Sequence, residues 1–283
     1  MSFSMDSWLW KIALVVAIVG VREFVRLLSP KDVQGETHEN SRWAVETLDS
    51  AAIAIGLVLF IIQPFLLQAF YIPSGSMEDT LQVRDRLLVS KLIYRLRNPR
   101  FQDVVVFRVP PAALNANTPP GTDFIKRCIG TPGDIVYVQD RQLYRIPAGS
   151  DRVEKIQEKY TKWSEDGRPS YDMKISGGVV YSREYDLPGQ PGVWAVNGMA
   201  QPEDQQQIIT DAKPEAVPAG KLLMLGDHRN NSNDGHVWGF VPRENVVGKA
   251  IFVFWPPNRL SLIDKLSQLN DSQAIRTASV TAQ

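Results

Sequence analysis

The chain has 283 residues, with 31 basic and 31 acidic side chains and a formal net charge of zero at neutral pH. Charge this balanced excludes the basic footprint of a nucleic-acid-binding protein, and a single cysteine, Cys128, excludes an intrachain disulfide. Nineteen glycines and nineteen prolines among many short β-branched runs predict a mainly β body rather than a helical bundle.

Residues 8–21 form a first apolar stretch that carries Lys11. It is short for a membrane span and is expected either to cross with its lysine snorkelling or to lie in the interface. No small-residue cleavage site followed by a polar mature chain accompanies it, which argues against a removable signal peptide. A polar loop follows, with Arg22, Arg26, Lys31 and Arg42. Residues 51–72 carry no charge and are long enough to cross hydrocarbon, so they are predicted as a transmembrane helix, kinked at Pro64 and anchored by Phe70 and Tyr71. The Lys and Arg residues of the 22–50 loop point to the cytosolic side. Arg84, Arg86 and Lys91 after the span oppose that reading, but long translocated domains escape the charge rule. The large domain is therefore expected outside the plasma membrane, whether or not 8–21 crosses.

Short strands follow at 87–93, 103–109, 123–129 and 134–138, separated by turns at Asn98-Pro99, Pro110-Pro111, Pro119-Pro120-Gly121 and Pro132-Gly133. Residues 140–220 are more polar and less periodic, with Asp166-Gly167, Pro188-Gly189 and Pro191-Gly192 turns, and read as an inserted β-rich subdomain. The apolar pattern returns at 221–226 and 246–255. The domain plan is thus 1–50 as N-terminal segment and loop, 51–72 as span, 73–139 with 221–257 as β core, 140–220 as insertion and 258–283 as a polar tail.

Three stretches could carry chemistry. In Tyr71-Ile-Pro-Ser-Gly-Ser-Met-Glu-Asp-Thr-Leu81, Ser74 and Ser76 flank Gly75 and sit between apolar Ile72 and Met77. Taken alone, these residues read first as a turn after a hydrophobic helix, and second as a serine placed to act at a membrane edge, with Ile72 and Met77 lining a pocket. The chain has three histidines, His38, His228 and His236, and neither a Gly-x-Ser-x-Gly elbow nor a Ser-x-x-Lys motif. A lysine base is the alternative. Lys126 lies inside an apolar strand with Phe124 and Cys128 on its face, and reads either as a snorkelling strand lysine or as a buried base. Burial could bring its amine from about 10.4 toward neutrality, at about 4 kcal/mol for about three units. In Gly226-Asp-His-Arg-Asn-Asn-Ser-Asn-Asp-Gly235, eight of ten side chains are polar, which fits a surface loop or a hydrogen-bonded scaffold. A calcium loop lacks its twelfth-position acid, where Val241 sits, and a zinc site from His228 and His236 lacks a third ligand. No metal or cofactor is expected.

Together, in this order and behind a membrane span, Pro73-Ser-Gly-Ser-Met77, Asp103-Val-Val-Val-Phe107, Phe124-Ile-Lys-Arg-Cys-Ile-Gly-Thr-Pro-Gly-Asp134 and the 226–235 loop resemble the motif boxes of bacterial type I signal peptidases, over roughly residues 50–256. The resemblance implies a β catalytic core with an inserted second β domain, preceded by one or two transmembrane helices, and a Ser-Lys endopeptidase that removes signal peptides from exported preproteins after small-x-small sites. It implies Ser76 as nucleophile, Lys126 as general base, Ser74 as an oxyanion-hole hydroxyl, and Ser232 as the hydroxyl that orients the lysine. Asp227, Arg229 and Asp234 match structural members of the polar box. The implied partners are preprotein signal peptides bound as an added strand along Ile72, Met77 and Phe124, membrane lipid, and a secretion translocon. Asp79 stands where proline is usual, Arg84 and Gln102 where glycines are common, and His228, Asn230 and His236 depart from the usual polar-box residues. A carboxylate of Asp79 beside Lys126 would favour the ammonium and oppose catalysis. Two alternatives follow: a catalytically silent, membrane-anchored β module, and a self-cleaving Ser-Lys protease.

Overall fold

The computed structural model describes residues 5–28, 39–114, 118–185 and 192–267. His38, the turns at 188–191 and the tail from 268 onward lie outside the described residues. The chain divides into two units, Met1–Gln68 and Ala69–Gln283.

In the first unit, helix α1 covers Met5–Leu28 and helix α2 covers Glu39–Leu57. Helix α2 runs on through Val58–Leu66 in a wider π-helical winding. Trp43–Phe60 is long and apolar enough to cross a bilayer, with a mean hydropathy of 1.6. Helix α1 extends well beyond the predicted 8–21 stretch, and its Arg22 pairs with Asp49 of α2 at 2.9 Å. The helical run stops at Leu66, short of the predicted residue 72, and Leu67–Tyr71 becomes strand β1. The physical reason is that Phe70 and Ile72 join the core of the second unit instead of continuing the helix.

The second unit is mainly β and holds two antiparallel sheets. Its further strands are β2 (Arg86–Ser90), β3 (Val104–Arg108), β4 (Asp123–Gly130), β5 (Ile135–Gln139), β6 (Gln142–Ile146), β7 (Glu154–Lys155), β8 (Ser170–Ser176), β9 (Val179–Tyr185), β10 (Ala195–Val196), β11 (Met199–Ala200), β12 (Lys221–Leu225), β13 (Phe240–Pro242), β14 (Val246–Trp255) and β15 (Ser261–Leu262). The first sheet runs β1-β2-β14-β3-β4-β12-β13, with β15 added on β14. Strand β3 shows why its sequence is apolar without alternation. Val104 and Val106 pack on one face with Met77, Leu81 and Leu87, whereas Val105 and Phe107 pack on the other with Cys128 and Met224. Strand β14 pairs with both β2 and β3, and Gly248 is required where it passes β2, because a Cβ there would come within 2.6 Å of the Ser90 carbonyl oxygen.

The second sheet runs β11-β10-β9-β8-β5-β6-β7. It begins at β5, so residues 135–139, predicted within the core, belong to the inserted sheet. Pairing explains this: β5 bonds to β6 along its whole length, and to β8. The insertion also holds a helix, Glu203–Asp211. Ile129, Leu223 and Leu225 of the first sheet share one core with Val136, Leu143, Tyr171 and Met173 of the second, so strand β4 and the polar loop after β12 sit at the seam. The predicted 87–93 strand ends at Ser90, and a helical turn, Ile93–Leu96, follows.

Candidate active site

The loop that carries Ser76 is held at both ends by backbone bonds. Ile72 donates to the Asp85 carbonyl at 2.9 Å and accepts from Arg84 at 2.9 Å, while Glu78 donates to the Gly75 carbonyl at 3.1 Å. Met77, predicted to meet substrate, is only 1% exposed and packs with Ile72, Leu81 and Val104. It is a core residue, and burying such a side chain is worth about 1.5–3 kcal/mol. That anchor fixes the position of its neighbour Ser76. The Ser76 carbonyl accepts the His228 N–H at 3.2 Å, tying the loop to the polar segment after β12.

Lys126 lies on β4 opposite Val105 of β3. Its Nζ is 2.6 Å from Ser76 Oγ and 5.5 Å from the centre of the Phe124 ring. The lysine is 5% exposed. Burial is the main cause that lowers its amine to about 8, against the opposing charges of Asp234 and Asp227. Ser74 is exposed, with its Oγ 3.5 Å from Ser76 Oγ.

The polar loop behaves as a buried scaffold. Asp227 accepts from Arg127 Nε at 2.7 Å and from Thr80 Oγ1 at 2.6 Å. Arg127, on the opposite face of β4 from Lys126, also lies 3.7 Å over the Tyr160 ring. Arg229 donates to the Gly226 carbonyl at 3.1 Å and pairs with Glu158, which keeps its guanidinium charged despite full burial. Asp234 accepts from the Gly226 N–H at 2.7 Å and the His236 N–H at 3.1 Å, with His236 Nδ1 at 2.8 Å. Burial pushes the Asp234 carboxyl up, but His236 and Lys126 together hold it below its ordinary value. Gly226 is obligatory here, since a Cβ would strike Ser232 Oγ and the Ser76 carbonyl oxygen.

The structure brings Ser74, Ser76 and Lys126 together and sets Asp227, Arg229 and Asp234 behind them. Ser232 does not complete the expected arrangement: its buried hydroxyl acts on the Asp234 carboxylate, and no hydrogen bond joins it to Lys126, whose Nζ bonds Ser76. The Asp79 carboxylate is not among the charges acting on Lys126; it lies 3.9 Å from Lys162 Nζ, with Glu78 at 3.3 Å from the same amine. Arg84 and Gln102 do occupy glycine-like backbone, with φ of 77° and 69°.

Several site residues escaped sequence reasoning. Lys162 donates its N–H to the Asp227 carbonyl and accepts from Arg229, both at 2.9 Å, and Ser164 bonds the His228 ring. Thr80, Arg127, Glu158 and Tyr160 complete the scaffold. Arg127 alone carried a usable signal, since alternation buries it opposite Lys126 and a buried guanidinium demands an acid.

A groove of about 460 Å³ opens onto Ser76 and Lys126, walled by Ile72, Val106, Phe124 and Ile125. Met77 is not among its lining residues. Strand β12 pairs with β4 only from Arg127 to Gly130, so residues 123–126 carry no strand on that side among the described residues.

Comparisons with known proteins give a consistent result. Residues 44–255 match the family model described as signal peptidase, peptidase S26. The chain is 36% identical over 211 residues to a signal peptidase I from Leptolyngbya laminosa, covering 75% of this chain and 77% of the relative. It is 37% identical over 206 residues to a probable signal peptidase I-2 from Synechocystis sp., covering 71% and 69%. A signal peptidase I from Pseudomonas fluorescens is 33% identical over 239 residues, covering 75% and 74%.

Proposed function

This chain belongs to the signal peptidase family, peptidase S26, and we propose that it is a membrane-anchored type I signal peptidase whose Ser76 and Lys126 form the catalytic dyad. The observation that carries the reading is a buried amine, lowered to about 8, lying 2.6 Å from a serine hydroxyl.

The chemistry follows from that pair. Neutral Lys126 takes the Ser76 Oγ proton as the oxygen attacks the scissile carbonyl of a preprotein. The Ser76 N–H and the Ser74 hydroxyl stabilise the oxyanion, and a donor of this kind is typically worth about 3 kcal/mol. The tetrahedral intermediate collapses, and the Lys126 ammonium returns its proton to the departing amine. Water then attacks the acyl-enzyme, with Lys126 again as base, and frees Ser76. Asp227, Arg229 and Asp234 hold the loop that fixes these positions.

The signal peptide binds as an extended strand along the open edge of β4 at 123–126, with its small side chains against Ile72 and Phe124. The Lys and Arg side chains between the two apolar stretches, Arg22, Arg26, Lys31 and Arg42, support a catalytic unit outside the plasma membrane, where the substrate emerges through lipid from a translocon. Asp79 lies beside Lys162 and not Lys126, which counts against a catalytically silent module.

The test uses the full chain in detergent with a preprotein substrate. Wild type cuts after a small-x-small site, whereas Ser76→Ala and Lys126→Ala do not. Failure of wild type across several detergents overturns the peptidase reading, and undiminished turnover by Lys126→Ala removes that residue from the mechanism.

A further inference from the structure

The groove is apolar along its walls and polar at one end. Besides the segments around Ser76 and Lys126, its lining includes Asn231 and Asn233, both exposed. The polar end adjoins the dyad. The His228 N–H bonds the Ser76 carbonyl, and the Asn231 N–H bonds the His228 carbonyl at 3.0 Å. Asn233 precedes Asp234, one of the two carboxylates whose charge reaches Lys126.

A peptide chain crossing this site meets different surroundings on the two sides of the scissile bond. On one side, the open edge of β4 matches its backbone and apolar walls match its side chains. That side suits the small apolar residues before the bond. Beyond Arg127, β4 is covered by β12 and offers no edge. The peptide groups after the bond would lose water with no backbone partner, a loss of about 1–3 kcal/mol for each buried group left unpaired.

We propose that Asn231 and Asn233 hold the departing segment, the residues after the scissile bond, through hydrogen bonds to its backbone. Asn231 has its Nδ2 tied back, 3.3 Å from His228 Nδ1, which leaves Oδ1 as an acceptor for a substrate N–H. Asn233 offers both a donor and an acceptor. A carboxamide reads peptide groups without selecting side chains, so this end of the site tolerates varied sequences after the bond, whereas the apolar walls select before it. Both are positioning and specificity residues, outside the proton-transfer chemistry.

The inference rests on the dyad reading above, and one pair of substrates separates the two. The first is a peptide extending five residues beyond the cleavage site; the second has the same acyl part ending in a p-nitroanilide. With the full chain in detergent, Asn231→Ala/Asn233→Ala lowers kcat/KM for the long peptide at least fivefold more than for the anilide, mainly through KM. Asn233→Ala alone shows a smaller loss of the same kind, and Asn233→Gln restores part of it. Equal losses on both substrates, a loss confined to kcat, or no loss on the long peptide overturns the proposal. Wild type that cleaves neither substrate overturns the dyad reading beneath it.

Discussion

Replacing Lys126 by methionine isolates the cost of hiding its amine. The variant keeps an unbranched apolar stem, one heavy atom shorter, while removing the charge. The amine falls from 10.5 to about 8 on folding, a gap of about 2.5 units, worth about 3 kcal/mol at 1.36 kcal/mol per unit. Below pH 8 the lysine is protonated in both folded and unfolded chains, and the folded state carries the full cost. Between pH 8 and 10.5 the unfolded chain still holds its proton while the folded one has released it, so wild-type stability rises with pH through that window. Loss of the Ser76 partner subtracts about 1 kcal/mol from the variant at every pH. The signature is therefore the pH dependence: the stability of Lys126→Met relative to wild type falls by about 2–3 kcal/mol between pH 7 and 10.5. Urea unfolding of both full chains in detergent, followed by tryptophan fluorescence, measures it. A stability difference that does not change over this range refutes the buried, depressed amine.

Gly226→Ala is expected to cost about 1–3 kcal/mol, the range for overpacking, and to abolish preprotein cleavage, because its Cβ collides with Ser232 Oγ and the Ser76 carbonyl oxygen; a melting curve and a cleavage assay check both effects, and a fully active variant contradicts the packing described. Arg84→Gly relieves a side chain held at φ 77°, so it stabilises by about 1 kcal/mol, read as a melting temperature raised by about 2–4 °C; an unchanged or lower value rejects strain at this position.

The parts of the site that were legible in the sequence are those that a short local pattern encodes. Ser74 and Ser76 around Gly75, a lysine inside an apolar strand, and a dense polar loop after another strand each stand out along the chain. Their convergence became legible only from their order behind the span. Residues that serve through distant partners left no such mark. Lys162 and Glu158 lie in the polar insertion, and only folding brings them to Asp227 and Arg229. Met77 looked like a pocket residue because an apolar side chain beside a serine fits a core and a groove equally well. The helix end at Leu66 was hidden for a similar reason: Phe70 and Ile72 satisfy a membrane and a β core alike. Strand β5 was assigned to the core because its apolar alternation says nothing about which sheet it joins. Arg84 and Gln102 depart from glycine yet keep left-handed backbone, so the turns they occupy are set by their surroundings and not by local preference.

The proposed chemistry requires Lys126 to act as a neutral amine. The most direct test is the pH dependence of kcat/KM for preprotein cleavage by the full chain in detergent. Activity is expected to rise with pH through an apparent value near 8, as Lys126 loses its proton, and to reach a plateau above it. An acid limb near 6.5, the range of an ordinary histidine, or activity that does not respond between pH 7 and 9, contradicts it.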